Sequence, residues 1–354
     1  MGKLAVYKYF SLLFLIITFI TATATFIALI GGNYSPTGNT AKAMLVYILP
    51  LLIIANIVLL IYWLIRRRWH WALIPFVTTL CCIPYSGTLY QFRSLDEKAD
   101  KKPGLTVATY NVAHFNHETS GFIALDILAQ MKKKNVDIFC IQEYVDKSGD
   151  KRNSENYSDY FPFMVKGKDD MVIFSKYPIV NSKAIFFEAT NNSAMWADIK
   201  VNGKMVRVVN VHLQTTGINR TLHQVAKIEL KGGHVDNSRI LQVIYGNYTW
   251  GMMVRAGQAT TVKHEMMLGK EKDCPLIVCG DFNDVPYSYV YKTMLGDMVD
   301  GFKECGSGWM YTYRGKRSTR IDYIFHDKSL KGLTYYRQDL TYSDHYPVLM
   351  KMEL

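Results

Sequence analysis

Carboxylate and carboxamide side chains follow directly after stretches that have the composition of buried strands. In VCGDFNDVP, Asp281 and Asn283 end an apolar run, and Glu143 ends DIFCIQE in the same way. Taken alone, each of these ends is compatible with a solvated turn, because Asp, Asn and Gly favour turns for local reasons. A solvated turn is a weaker explanation for Glu143, because an unpaired carboxylate at the edge of a core is costly. The pattern therefore predicts a functional site.

Six strand ends carry residues of this kind. They are Asn111, Glu143, His212, Asp281 with Asn283, Asp322, and Asp344 with His345. Their oxygen ligands favour a hard cation such as Mg²⁺ or Mn²⁺, and the sequence has no Cys and His cluster at zinc spacing. A metal and a cationic imidazole can offset the charge of a phosphorane-like transition state, while a carboxylate activates water. The set predicts metal-dependent hydrolysis of a phosphoester.

The elements that must position these residues are short strands mixed with helices. GLTVATYN and DIFCIQ are typical of buried strands, and VNGK is the turn of a hairpin between SAMWADIK and MVRVVNVHL. Residues 213–267 have little strand character and are predicted to be largely helical. Two cysteines, Cys140 and Cys279, lie in predicted core strands. The combination predicts an α/β fold in layers.

The motifs TYNV, IQE, NVHL, GDFND, RIDYIF and SDHYPV resemble, in this order, those of the endonuclease/exonuclease/phosphatase superfamily of deoxyribonuclease-like, metal-dependent phosphoesterases. The resemblance covers about residues 104–354. It implies a four-layered α/β sandwich, in which two central mixed sheets are flanked by helices, with the site between the sheet edges. It also implies that the chain is a hydrolase with a Mg²⁺ or Mn²⁺ cofactor.

The resemblance also implies roles for the metal-binding residues. Glu143 would be the principal metal ligand, with Asn111 beside the metal. Asp344 is a second candidate metal contact.

The catalytic roles that the resemblance implies fall on five other residues. Asp281 would activate or orient the nucleophilic water, and Asn283 would contact the phosphate. His345 would face the scissile phosphate, with Asp322 orienting it through its other ring nitrogen. His212 would stabilise the transition state from the opposite side.

The sequence departs from the family pattern in two places. KDDMVIFSKYP carries Asp169 and Asp170 where many members have a Gly-Val or Gly-Ala pair. The two residues either form a solvated loop, or one of them orients His212 as Asp322 orients His345. A long segment also separates NVHL from GDFND. We expect substrate specificity to differ there.

The first 90 residues have the composition of a membrane segment. They contain six basic residues and no acidic one, whereas all 30 acidic residues lie further on with the other 35 of the 41 basic ones. Residues 10–30 and 43–65 are apolar runs of about the 20 residues that cross a bilayer, and Trp71–Tyr90 is a weaker third run. We therefore predict a membrane anchor with about three transmembrane helices over residues 1–91, a linker over 92–103 and a catalytic domain over 104–354. A cleaved signal peptide would explain the first run alone.

The positions of lysine and arginine predict the orientation. Lys3 and Lys8 precede the first run, and Arg66–Arg68 lie between the second and third, so both should be cytoplasmic. Three spans would then place the catalytic domain outside the cytoplasm, as a multi-pass protein of the cell (inner) membrane. Two spans would place it inside.

The substrate stays open at this stage. A nuclease is the first hypothesis, because a basic surface attracts nucleic acid. An enzyme that acts on a lipid headgroup or an inositol-type phosphoester is the second, since the anchor holds the site near a bilayer and basic surfaces also attract anionic lipid. A binding module without activity is a remote third. The expected partners are a phosphoester substrate, possibly nucleic acid, and a lipid bilayer, with a monomer as the default state.

Overall fold

The computed structural model describes residues 3–94, 96–116, 124–144, 158–168, 170–188, 190–231, 233, 236–315, 318–340 and 342–354. These residues form two compact units. One comprises Met1–Thr88 with Val285–Lys292, and the other comprises Leu89–Asp284 with Thr293–Leu354. The predicted limits of the anchor, the linker and the catalytic domain stay predictions. A short helix, Glu97–Asp100, lies in the stretch that we predicted to be a linker.

The helices of the first unit are α1 (Lys3–Gly31), α2 (Thr40–Met44), α3 (Leu49–Ile65), α4 (Trp69–Cys81) and α5 (Ile83–Ser86), with a 3₁₀ turn over Leu45–Ile48 between α2 and α3. By length and composition, Tyr7–Gly31 and Thr40–Ile65 can each cross a membrane. Only 28% and 22% of their most apolar windows are buried, whereas the core helix of a soluble protein would be mostly buried.

Polar side chains join the two long helices of this unit. Asn56 Nδ2 donates to Thr25 Oγ1 at 2.9 Å, and Trp63 Nε1 donates to Thr18 Oγ1 at 2.9 Å. Hydrogen bonds between helices, with apolar side chains facing outward, are the arrangement that membrane helices use. The two long helices of the unit thus form a hairpin that is joined by polar side chains.

The third predicted span, Trp71–Tyr90, does not form one long helix. Helix α4 has 13 residues, and Cys82 separates it from the four-residue α5. Pro75 lies inside α4. A helix rises about 1.5 Å per residue, so α4 alone is shorter than a bilayer core. Among the described residues only two helices are long and apolar enough to span.

The described residues of the second unit form 14 strands and six further α-helices, α6–α11. The strands are β1 (Tyr90–Gln91), β2 (Leu105–Asn111), β3 (Ile138–Gln142), β4 (Phe163–Lys166), β5 (Val172–Ser175), β6 (Ile179–Phe186), β7 (Ser193–Val201), β8 (Lys204–His212), β9 (Leu276–Asp281), β10 (Val299–Asp300), β11 (Gly308–Trp309), β12 (Asp322–His326), β13 (Lys331–Arg337) and β14 (Val348–Glu353). The helices are α6 (Glu97–Asp100), α7 (Ala124–Lys133), α8 (Ile218–Leu230), α9 (Asn237–Glu265), α10 (Tyr289–Leu295) and α11 (Gly301–Cys305), of which α10 begins in the segment that belongs to the first unit.

Two six-stranded mixed sheets form the centre of this unit. The strand order is β13-β14-β2-β3-β5-β4 in the first sheet and β10-β12-β9-β8-β7-β6 in the second, while β1 pairs with β11. One hydrophobic cluster joins the facing sides of the sheets, and it includes Val107 and Cys140 from the first and Val208 and Cys279 from the second. The predicted α/β fold with two mixed sheets flanked by helices is confirmed.

Helices cover the outer faces of the sheets. Ile127 and Met131 of α7 pack with Phe139 against the first sheet. Outside the second sheet, Arg207 forms a bidentate pair with Asp198 at 2.7 and 2.8 Å and donates to the carbonyl of Met266, next to the end of α9. These contacts hold the long helix against the strand that ends at His212.

Local sequence explains the β7–β8 hairpin and the helical segment after it. Asn202 and Gly203 both have positive φ, 50° and 89°, as a two-residue type I′ turn requires, and Asn-Gly is the favoured pair there. The predicted hairpin is therefore confirmed. The prediction of helix over residues 213–267 is also confirmed, by α8 and α9.

Candidate active site

The strand ends predicted from the sequence lie at one edge of each sheet. In the second sheet Asp281 is in register with His212 of the neighbouring parallel strand and with Asp322 of the antiparallel strand on its other side. In the first sheet β2 ends at Asn111, in register with Gln142, the residue before Glu143. The two edges meet where Asn111 Nδ2 donates to Asp281 Oδ2 at 3.1 Å.

His345 is held by a carboxylate. Its Nδ1 lies 3.0 and 3.2 Å from the two carboxylate oxygens of Asp322. Its Nε2 lies 3.7 Å from Asp281 Oδ2. Burial alone would lower the pKa of His345, but the two carboxylates outweigh it and raise this pKa to about 10. The imidazole is therefore cationic at neutral pH, with Nε2–H directed into the site.

His212 has a carboxylate partner of its own. Its Nδ1 lies 3.1 Å from Asp170 Oδ2, and its Nε2 lies 3.6 Å from Glu143 Oε1. Burial would lower the pKa of His212, but the hydrogen bond to Asp170 and the charges of Asp281 and Glu143 raise it above the ordinary value. Asp170 thus makes the contact that we considered for the Asp169–Asp170 pair, while Asp169 lies outside the described residues.

Asp281 lies at the centre of these groups and is almost fully buried. Asn283 donates to it twice, from the backbone nitrogen to Oδ1 at 2.8 Å and from Nδ2 to Oδ2 at 3.2 Å. The left-handed backbone of Asn283, with φ 51°, turns this residue back toward the strand end. Burial raises the pKa of Asp281 to about 6, against the opposing charge of His345. A carboxylate with that pKa is a suitable proton acceptor near neutral pH.

The oxygen donors needed for a cation also converge here. Asn111 Nδ2 lies 3.1 Å from Glu143 Oε1 as well as from Asp281, so both carboxylates point to the same amide. Glu143 adopts a positive φ of 54°, which directs its side chain into the site. The two carboxylates fit a hard divalent cation, which would be held by Glu143 and Asp281. Asn111 would join them only if its amide turned, because its Oδ1 accepts from the backbone nitrogen of Ala113 at 3.0 Å. The sequence predicted a carboxylate and a carboxamide beside the metal, and Glu143 and Asn111 carry these groups.

Asp344 is placed differently. It is exposed, and its carboxylate lies 3.4 Å from Ser343 Oγ. Among the described residues no hydrogen bond joins Asp344 to Asn111 or Glu143. A second group of candidate ligand atoms, all within 4.8 Å of one another, comes from Asp281, Asp322 and His345. In that group both ring nitrogens of His345 face carboxylates. We therefore interpret the three residues as catalytic groups.

Sequence reasoning assigned no role to the polar bridge beneath the site. Gln142 of the first sheet donates to Asn210 Oδ1 of the second at 2.6 Å. Asn210 donates in turn to the carbonyls of Ile141 and Val172, at 3.0 and 3.1 Å. Both residues are fully buried, so these bonds fix the offset of the two sheets. The signal was present in the sequence, because each residue lies within a motif, IQE or NVHL.

A buried ion pair supports the turn after β9 and was also missed. Arg255 Nε lies 3.3 Å from Asp284 Oδ2, and Arg255 Nη1 donates to the carbonyl of Gln214 at 3.0 Å. The pair connects α9 to the GDFND turn and to the segment after His212.

The arrangement can bind and cleave a phosphoester. Two imidazoles fixed through Nδ1 present Nε2–H groups from either side, which can stabilise charge that develops on phosphate oxygens. Between them lies Asp281, a carboxylate able to accept a proton from water. Asn283 Nδ2 also donates to the carbonyl of Leu213 at 2.9 Å, which fixes its amide at the rim of this group.

Solved structures share this architecture at low sequence identity. Truncated Caenorhabditis elegans TDP2 is 14% identical, with a TM-score of 0.53, over 71% of this chain and 98% of that one. The endonuclease/exonuclease/phosphatase from Bacteroides vulgatus is 19% identical, with a TM-score of 0.51, over 72% of this chain and 100% of that one. Danio rerio TDP2 complexed with single strand DNA product is 15% identical, with a TM-score of 0.50, over 72% and 100%. At these identities the likeness shows the fold alone.

Family models match both parts of the sequence, whereas no curated protein matches it. A domain of unknown function, DUF8431, matches residues 11–89. The model of the Endonuclease/Exonuclease/phosphatase family matches residues 108–345, about two thirds of the chain and all the strand ends described above. The chain therefore belongs to the endonuclease/exonuclease/phosphatase family of phosphoester hydrolases.

Proposed function

We propose that this protein is a membrane-anchored, divalent-metal-dependent phosphodiesterase that hydrolyses nucleic acid. The observation that carries the catalytic part is the pair of histidines, each fixed through Nδ1 by its own carboxylate, on either side of Asp281. Structural ion pairs alone do not require both histidines to direct Nε2 at further carboxylates, which are Asp281 for His345 at 3.7 Å and Glu143 for His212 at 3.6 Å. Mg²⁺ or Mn²⁺ bound through Glu143 and Asn111 would supply Lewis-acid stabilisation of the phosphate.

The residues of the chain then have separate tasks. Asp281 accepts a proton from the attacking water. Asn283 contacts the phosphate by exchanging the longer of its two Nδ2 bonds, the one to Asp281 at 3.2 Å, for a bond to a phosphate oxygen. His345 donates a hydrogen bond from Nε2 to a phosphate oxygen. Asp322 accepts a hydrogen bond from Nδ1 of His345 and so keeps a proton on that nitrogen. His212 donates from the other side. Every group acts from a strand end, so little reorganisation is needed during the reaction.

Nucleic acid is the substrate that the charge favours. The residues after 90 carry 35 basic and 30 acidic side chains, and a basic excess strengthens binding to a polyanion. The structural neighbour from Danio rerio is described with a single strand DNA product. A phosphoester of a lipid headgroup is the second candidate, and the two apolar helices favour it because they would hold the enzyme at a lipid surface.

Membrane anchoring is supported by the exposed apolar surface of α1 and α3 and by the polar contacts between them. With the amino terminus and Arg66–Arg68 in the cytoplasm, the side on which the catalytic unit lies depends on the segment of α4 and α5. With Cys82 between them, which has φ −85° and ψ −7°, the two helices cover 18 residues. That length, about 27 Å at 1.5 Å per residue, is close to the thickness of a bilayer core. We therefore favour three spans and an extracytoplasmic catalytic unit.

The substrate class is tested on the full-length protein in detergent with Mg²⁺. Duplex DNA, single-stranded DNA, RNA, sphingomyelin and inositol phosphates are offered in parallel, and products are measured. We expect cleavage of nucleic acid that stops in excess chelator and returns with Mg²⁺ or Mn²⁺. Cleavage of sphingomyelin or inositol phosphates alone would replace nucleic acid by the second candidate, and an undiminished rate in chelator would refute the metal requirement.

The catalytic roles predict large losses of rate with little loss of stability. His345→Ala and Asp281→Ala should each lower kcat by a factor of about 10² to 10⁴, as for other acid and base groups. Glu143→Gln should raise the Mg²⁺ concentration needed for half-maximal activity. His264→Ala, at an exposed position near the end of α9, serves as the control and should keep the wild-type rate. Near wild-type turnover in either of the first two variants would show that the roles are wrongly assigned.

Asp170 is predicted to position His212. Asp170→Asn should lower kcat by about 10-fold or more with little change in KM or melting temperature, because His212 loses the acceptor that fixes its ring. The neighbouring Asp169→Asn is the matched control and should have a small effect. Equal losses in the two variants, or a loss of stability that accounts for the lost activity, would contradict this role.

The topology is tested by proteolysis of intact spheroplasts. Three spans predict that added protease cuts the chain after residue 91 while a cytoplasmic marker survives. If the catalytic unit stays intact until the membrane is lysed, α4 and α5 do not cross the bilayer and the unit is cytoplasmic.

A further inference from the structure

A helical hairpin begins directly after the candidate site. It consists of α8 and the first half of α9, residues 218–250, and we call it the insertion hairpin. Asn247 Nδ2 donates to Thr221 Oγ1 at 3.0 Å across its two helices. In contrast, the second half of α9 contains buried residues such as Met252, Ala256 and Val262 that pack within the catalytic unit. Only the hairpin half therefore stands away from the core.

Large apolar side chains are exposed along the insertion hairpin. The exposed fractions are 45% for Ile228, 86% for Leu230, 66% for Leu241, 44% for Val243, 53% for Tyr245 and 48% for Trp250. A soluble surface seldom groups so many in about 30 residues without a partner. The hairpin needs an apolar environment that the described residues do not supply.

The exposed residues lie on opposite sides of α9. Leu241 and Tyr245 are four residues apart and share one side of the helix. Val243 and Trp250 are seven apart and share another, and at 100° per residue Val243 lies about 200° from Leu241. One flat protein surface could cover only one of these sides. A helix in the interface of a bilayer sinks about 5–10 Å into the headgroup and acyl boundary, so lipid can reach more than one side of a helix that is about 10–12 Å wide.

The charges of the hairpin also match a lipid surface. Residues 218–250 include four basic residues, Arg220, Lys227, Lys231 and Arg239, and two acidic ones, Glu229 and Asp236, and α9 itself has no acidic residue before Glu265. Basic side chains next to apolar ones, with Tyr and Trp among them, are typical of helices in the interface of anionic membranes. Lysine and arginine can extend their charged ends to the phosphates while their stems stay in apolar surroundings.

We propose that the insertion hairpin binds the surface of an anionic bilayer and holds the mouth of the active site there. This inference rests on the membrane anchoring proposed above, but not on the identity of the phosphoester. An anchored catalytic unit meets lipid at a high effective concentration, so a modest apolar surface is enough to keep it docked. A protein partner would have to be encountered separately.

The hairpin is joined closely to the catalytic groups. Its first helix follows Gly217, five residues after His212, a reach of at most about 18 Å. Between them, Leu213 accepts a hydrogen bond from Asn283, and Gln214 N donates to Gln258 Oε1 of α9 at 2.8 Å. Helix α8 adds about 20 Å for its 13 residues, so binding of its far end to lipid would hold the site within about 40 Å of the membrane surface.

The test measures lipid contact directly, in the full-length protein reconstituted one copy per nanodisc with 30% phosphatidylglycerol in phosphatidylcholine. Cys81 and Cys305, the two cysteines that are not buried, are first replaced by serine. Leu241→Cys is then labelled with an environment-sensitive fluorophore. Lys200→Cys is the matched control, because Lys200 is exposed on β7 near the end opposite to His212. We expect nitroxide lipids to quench the label at 241 at least about twofold more than the label at 200.

Equal quenching at the two positions would overturn the proposal. Quenching at 241 that appears only with two copies per disc, or a 241–241 crosslink, would show instead that the hairpin binds a second copy.

A double variant, Leu230→Asp with Leu241→Asp, tests the apolar contacts themselves. In this variant brominated lipids should no longer quench the fluorescence of Trp250, as they do in the parent. The same variant should hydrolyse soluble bis(p-nitrophenyl) phosphate within twofold of the parent rate. If neither protein hydrolyses it, the proposed function fails while the quenching result still decides the docking.

Discussion

A buried carboxylate at the junction of two sheets is the constraint on which the site depends. Asp281 is 1% exposed, and an ionised carboxylate in such a place is costly unless hydrogen bonds and opposite charge compensate it. The compensation comes from both sheets, through Asn111 of the first and through Asn283 and His345 at the strand ends. The two sheets must therefore keep one fixed offset, since a small slip would leave Asp281 without partners.

That offset is maintained below and beside the site by buried polar contacts. Gln142 and Asn210 join the sheets one residue before Glu143 and two before His212. Arg255 and Asp284 attach the long helix α9 to the turn after Asp281. Such groups are expensive to bury unless each finds its partner, so they favour a single arrangement of the layers over looser packings. Rigid strand ends are what a site needs when its catalytic groups come from six separate strands.

The sequence allowed the fold class and most of the site to be predicted, for identifiable physical reasons. Strand ends such as TYNV and GDFND change from apolar to polar within one or two residues, and Asn202-Gly203 has a strong turn preference. The sequence left open whether Asp170 pairs with His212 or lies in a solvated loop. The two residues are 42 positions apart, and β5 and β8 belong to different sheets. The third apolar run was read as one span, whereas the helix is interrupted at Cys82 after Pro75, a break that hydropathy alone does not reveal. Exposure on α8 and α9 was equally hidden, since helical spacing says which residues share a side but not whether that side is covered.

The charges collected at the site give a reason for a cation that is independent of ligand type. Four carboxylates, those of Glu143, Asp170, Asp281 and Asp322, surround two imidazoles. With both histidines protonated, the group still has two more negative than positive charges, and a phosphodiester would bring another. Burial raises the pKa of Asp281 to about 6, and the negative charge of Asp322 acts in the same direction, against the two histidines. A divalent ion beside Glu143 would balance the count, lower the pKa of Asp281 and so leave it ionised to accept a proton, and it would remove the repulsion that opposes entry of the anionic substrate.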